Sequence, residues 1–119
     1  MSTVLLGATG RTGRRVLQRL EATGMPVTTY GRRAGGGERA LIGALDDTAQ
    51  LRAALDEAEA VISCLASGNS DPVCSVATRT LIEVADRPLR YVVVSGASVE
   101  RPGDRRNALE RGALGVMRL

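Results

Sequence analysis

Three glycines spaced by three, Gly7, Gly10 and Gly13, sit between a short apolar run, Thr3 to Leu6, and a stretch of helical periodicity. This is the context that a dinucleotide-binding turn requires. The first glycine lets a strand turn sharply, the second lets the backbone approach a pyrophosphate with no Cβ in the way, and the third lets helix and strand pack closely. Amides at the helix start then face the anion, with the helix dipole behind them. Thr9 and Thr12 add hydroxyl donors and Arg11 a positive charge. A glycine turn that binds nothing has the same spacing, but the strand before it and the amphipathic helix after it favour a ligand.

Other chemistries are closed to the chain acting alone. All 16 basic residues are Arg, and Lys, His, Phe and Trp are absent. Without His or Lys there is no Ser-His or Cys-His pair, no His-based metal site, no Schiff-base Lys and no Tyr/Lys proton relay, so no metal is expected. The formal charge of +3 comes without a basic block, and Tyr30 and Tyr91 are the only aromatics. Single-strand binders need stacking platforms and duplex binders a basic face, so no nucleic-acid partner is expected. Cys64 and Cys74 form no CxxC pair and no secretory apolar region opens the chain, which reads as a reduced cytoplasmic protein. Apolar runs such as Tyr91 to Val94 are far too short for a bilayer, so no membrane partner is expected.

The elements that must position these groups follow from periodicity. At 119 residues and 44% hydrophobic, the chain suits one domain spanning 1–119. After the strand Thr3 to Leu6, a helix is predicted from Thr12 or Gly13 to about Thr23, with Val16, Leu17 and Leu20 on one face and Gly24 as its stop. Val27 to Tyr30 reads as a second strand, Gly31 to Gly37 as a turn-rich stretch, and Ala40 to Gly43 as a third strand. Thr48 is the expected N-cap of a helix running to about Glu57. Ala60 to Leu65 follows as a strand, then a helix with Asp71 as N-cap and Pro72 at its first position, then a strand from Arg90 to Ser95. Strands that are continuous apolar runs and alternate with helices indicate an α/β fold. The expected architecture is a doubly wound parallel sheet, Rossmann-like, of about five strands with helices on both faces.

In such a fold the end of the second strand meets the cofactor's 2′ group, and an acid there would accept from ribose hydroxyls and favour NAD. Arg32 and Arg33 instead offer guanidinium forks suited to a 2′-phosphate, which points to NADP.

The ordered set GATGRTG, YGRR, GALDD, AVISCL and YVVVSGAS resembles the NmrA-like and biliverdin-reductase-B-like branch of the atypical short-chain dehydrogenase/reductases over nearly the whole chain. The resemblance implies a Rossmann domain that binds NADP, in some members to reduce flavins, biliverdin or quinones and in others to sense redox state without turnover. Relatives carry Gly-Asp-Leu or Gly-Asp-Val where this chain has Gly43, Ala44 and Leu45, with the carboxylate on the adenine amino group. Asp46 or Asp47 then either stands in for that carboxylate or serves the following helix as a first-turn acid. Cys64, Leu65 and Ala66 match the strand end that lines ribose and nicotinamide, through backbone more than side chain. Cys64 itself reads as a small buried hydrophobe.

Ser95 and Ser98 follow the fifth strand, where relatives place a hydroxyl that orients substrate, and Ser95 is the preferred catalytic candidate. The Tyr-x-x-x-Lys pair of ordinary members is missing, which leaves the proton to solvent. Relatives run on for about another half-chain, so the sequence corresponds to the cofactor-binding part of a longer reductase. Two functions stay open: a reductase passing hydride from NADPH to a small planar acceptor, and a non-catalytic NADP-binding module. An exposed last strand would pair with its own kind, which predicts a homo-oligomer.

Overall fold

The computed structural model describes residues 2–66 and 72–94. Five strands, β1 (Ser2–Leu6), β2 (Val27–Gly31), β3 (Arg39–Ile42), β4 (Ala58–Ser63) and β5 (Arg90–Val93), form one parallel sheet in the order β3-β2-β1-β4-β5. The expected α/β doubly wound architecture is therefore present. β1 lies at the centre and pairs Leu6 with Tyr30 on one side and with Ser63 on the other. Its side chains from Thr3 to Leu6 are fully buried, as the continuous apolar run required for a strand covered on both faces.

The two faces are filled separately. Helix α1 (Arg11–Ala22) brings Leu17, Val16 and Leu20 onto Leu5, Ala8, Val27 and Ile62. Helices α2 (Thr48–Ala54) and α3 (Val73–Val84) cover the opposite face, where Leu51, Leu55, Ala77, Leu81 and Val84 pack on Val4, Leu6, Tyr30 and Val61. Alternate residues of β1 thus feed two different cores, as the period of two in a strand dictates.

Several boundaries differ from the sequence expectation. Asp47, not Thr48, is the N-cap of α2, because its carboxylate accepts from the Gln50 amide three residues on. That helix stops at Ala54 rather than near Glu57, since the chain reverses through Glu57 at φ 61°. β4 begins two residues earlier than expected and ends at Ser63, so Cys64, Leu65 and Ala66 lie just beyond the strand. Pro72 occupies the N-cap position of α3 with its carbonyl accepting from Val76, one place before the first helical position expected for it. The Asp71 cap lies outside the described residues.

Candidate cofactor-binding site

The strand order reverses direction between β1 and β4, and that is where an open parallel sheet leaves a crevice at the carboxyl ends of its strands. A cavity of about 460 Å³ lies there. It is lined by Gly7, Ala8 and Thr9 after β1, Thr29 to Arg33 and Gly35 around the end of β2, Leu45 after β3, Leu65 after β4 and Val73 at the start of α3.

The three glycines meet three different constraints. Gly7 has φ +79°, and a Cβ on it would lie 2.8 Å from the Cys64 carbonyl, so the turn leaves β1 while pressed against β4. A Cβ on Gly13 would come within 1.8 Å of the Gly7 oxygen, which fixes the first turn of α1 directly on the turn. Gly10 is different: its backbone is extended at φ −78° and ψ 172°, and a Cβ there would meet only the Gly7 oxygen at 3.6 Å. Nothing in the described chain needs position 10 to be glycine. The space beside it is what an approaching pyrophosphate would fill.

The start of α1 is built for an anion. Gly10 caps it without a side-chain hydrogen bond, no acid stands in the first turn, and the first intrahelical bond runs from the Arg14 amide to the Gly10 carbonyl. The amides of Arg11, Thr12 and Gly13 therefore have no partner within the helix. Arg11 and Thr12 are exposed there. A cation at a helix N-terminus is unfavourable by the dipole alone, so Arg11 gains from a bound anion what the dipole costs it.

Arg32 and Arg33 are exposed on the cavity wall and have no carboxylate partner among the described residues, where the ion pair is Arg87 with Asp86. The glycine-rich stretch beyond them is held in place. Thr29 Oγ1 donates to the Gly36 carbonyl at 2.7 Å, and a Cβ on Gly35 would lie 2.8 Å from that of Ala8. The turn after β3 is pinned in the same manner, by the Tyr30 hydroxyl donating to the Ala44 carbonyl at 2.5 Å. Burial, and then the nearby carboxylates of Asp47 and Asp46, raise the Tyr30 pKa and keep the hydroxyl a donor. Leu45 is carried into the cavity wall by that turn.

Among the remaining residues singled out in the sequence, Leu65 lines the cavity, Ala66 follows it and is exposed, and Asp46 is exposed next to the wall residue Leu45 without itself lining the cavity. Cys64 packs in the α1-side core, and burial pushes its thiol pKa up, so it is not a ready nucleophile. Cys74 donates to the Leu65 carbonyl at 3.3 Å and ties α3 to the end of β4. Ser95 and Ser98 lie outside the described residues. No cluster of three metal-ligating side chains occurs among the described residues. Sequence reasoning missed Ala8, Thr29, Tyr30, Gly31, Gly35 and Val73 as wall residues. Thr29 and Tyr30 had one signal, their place in the last turn of a strand followed by the two arginines.

The fit to a dinucleotide is direct. The wall carries two guanidinium groups with no ion pair among the described residues and runs across four strand ends, while Gly10, Arg11, Thr12 and Gly13 follow its Thr9 in the chain without lining it. Residues 7–116 match a protein family described as NAD(P)H-binding. No curated protein matches the sequence. Solved structures do. A short-chain dehydrogenase/reductase superfamily protein of Agrobacterium tumefaciens with bound NAD is 25% identical, with a TM-score of 0.70, over 83% of this chain and 34% of that one. A short-chain dehydrogenase/reductase of Veillonella parvula in complex with NADP is 23% identical, with a TM-score of 0.63, over 82% of this chain and 48% of the other. A candidate NADH-flavin reductase of Streptococcus pneumoniae is 23% identical, with a TM-score of 0.70, over the same shares. This chain spans between about a third and about half of the length of these three structures.

Proposed function

The chain belongs to the NAD(P)H-binding family, and from that premise we propose that it is an NADP-dependent oxidoreductase that reduces a small planar acceptor of the flavin, quinone or tetrapyrrole type. The observation that carries this reading is the cavity at the strand ends, where Gly7 and Thr9 of the glycine turn and the exposed Arg32 and Arg33 line one crevice. When bound, NADPH supplies the hydride. The chain's part is to hold the pyrophosphate at the amides of Arg11, Thr12 and Gly13, with Thr9 and Thr12 hydroxyls as further donors. Arg32 and Arg33 take the 2′-phosphate through charge-assisted bonds. Leu45 and Asp46 flank the adenine end. Cys64, Leu65 and Ala66 border the ribose and nicotinamide at the end of β4, where Leu65 and Val73 make the wall apolar and limit water at the transferring carbon. Ser95, two residues past β5, is the proposed hydroxyl that orients the acceptor, with solvent as the proton source in a chain that has no Lys.

One observation favours a second reading. The absence of Lys and His leaves no conventional proton relay, which suits a module that binds NADP without turnover. Steady NADPH oxidation with a flavin or quinone supports the reductase; tight NADPH binding with no oxidation across such acceptors supports the module. Binding of neither NADPH nor NADH in a fluorescence titration sinks both. Arg32→Ala tests the cofactor choice, and an exposed charge-assisted contact should weaken NADPH by about tenfold while leaving NADH unchanged. Equal loss for the two cofactors would refute the phosphate role.

We also propose that the protein is a homo-oligomer. Val92 and Val93 of β5, an edge strand among the described residues, and Val94 just after it are 46%, 48% and 44% exposed, and pairing with a second copy along that edge would reduce this exposure.

A further inference from the structure

A second cavity, of about 300 Å³, adjoins the cofactor crevice and is lined from α1 by Arg14, Leu17, Gln18 and Glu21. Ala8, Thr9 and Gly35 line both this cavity and the cofactor crevice. The two spaces are thus divided only by a low saddle between the glycine turn and the loop after β2. That saddle is fixed. Gly35 sits within van der Waals reach of Ala8 and Thr29, and the Thr29 hydroxyl holds the next residue's carbonyl. Arg32 and Arg33 line the crevice on one side of the saddle, and Arg14 of α1 lines the second cavity.

Arg14 has no structural employment. It is exposed, donates no side-chain hydrogen bond and joins no ion pair among the described residues. Its helical neighbour at i−3 is Arg11, a like charge, and at i+4 Gln18, which is neutral. Glu21, at the other end of the cavity, is seven residues away, about 10 Å along the helix axis. A cation left beside another cation near a helix N-terminus is stabilised when an anion completes the set.

We propose that Arg14 is a specificity-determining residue for the cofactor's 2′-phosphate, closing on it across the Thr9–Gly35 saddle opposite Arg32 and Arg33. The inference rests on the NADP reading above and adds to it a contact from α1, on the side of the saddle that the loop arginines do not reach. A phosphate seated on the saddle is gripped from two elements, so discrimination against NADH does not depend on the loop alone. Gln18 offers an amide donor on the same wall.

The test compares Arg14→Ala with Arg15→Ala, which removes the same charge from the same helix but lines neither cavity. Dissociation constants are measured for NADPH and NADH by fluorescence, and for adenosine 5′-diphosphate with and without a 2′-phosphate by competition. Arg14→Ala should weaken NADPH and the 2′-phosphorylated fragment by about tenfold, as expected for one partly exposed charge-assisted contact, and leave NADH unaltered. Arg15→Ala should leave both cofactors within about twofold, the range of a rim charge. Arg14→Lys, which keeps the charge and loses the fork, should fall between wild type and Arg14→Ala. Equal effects of the Arg14 and Arg15 substitutions, or equal loss of NADPH and NADH, overturn the proposal by reducing Arg14 to general electrostatics. Failure of the unaltered protein to bind NADPH is a different result, which overturns the NADP reading itself.

Discussion

At the residue scale, Gly10 and Gly13 separate what the fold needs from what a ligand needs. Gly13→Ala drives a Cβ into the Gly7 oxygen and has no flexible neighbour to yield, so it should cost at least about 3 kcal/mol. Gly10→Ala meets no such obstacle, and its stability should fall by no more than about 1 kcal/mol while NADPH binding is largely lost. Thermal melts and cofactor titrations on the two variants check both halves. The spacing of the three glycines was visible in the sequence; that they do unlike things was not, because it depends on how closely β4 and α1 approach the turn. Tyr30 and Cys64 make a further prediction. Both pKa values are raised, Tyr30 above its ordinary 10.0 by burial and then by Asp47 and Asp46, and Cys64 above 9.0 by burial. The folded protein therefore binds these protons more tightly than the unfolded chain does. The stability this gives is fully present below about pH 9 and is lost as pH rises through the raised values. Urea midpoints should decline from about pH 9 upward, and Cys64→Ala should move the onset toward the tyrosine range.

At the element scale, the type of every strand and helix among the described residues was legible, because each strand is a short apolar run and each helix carries one apolar stripe. The ends were less so. Asp47 and Thr48 are both good caps and adjacent, and the choice between them turns on which side chain reaches the Gln50 amide. Asp47→Ala should lower stability by about 1 kcal/mol, Asp47→Asn by less, and neither should alter NADPH affinity. A change in affinity would return Asp47 to the adenine role that the resemblance left open. The hydrogen bond from Tyr30 to Ala44 was invisible for a stronger reason. It joins a strand end to a turn fourteen residues on, and it exists only because β2 and β3 are parallel in this register. Glu57 at positive φ was equally hidden, since no glycine or asparagine marks the position.

At the scale of the whole molecule, β5 is an edge strand among the described residues, and Val92 and Val93 on it and Val94 just after it are exposed, neighbours pointing to opposite faces of the sheet. Light scattering should give a dimer or larger, and Val92→Lys, which puts a charge on that edge, should shift the population toward monomer. A clean monomer for the unaltered protein would remove the oligomer from the proposal. The described residues also include no helix long and apolar enough to cross a membrane.

The strand order has one more consequence, for how the protein comes into being. Every pairing in the sheet is parallel, and all but β2 with β3 join strands separated by at least one helix, so no hairpin forms early as a nucleus. β1, the innermost strand, is made before either neighbour and gains its second one only when β4 has emerged. Until Ala58 to Ser63 leave the ribosome, the most deeply buried strand of the sheet has an open edge, and a pause in translation before that point would hold the nascent chain in an aggregation-prone form.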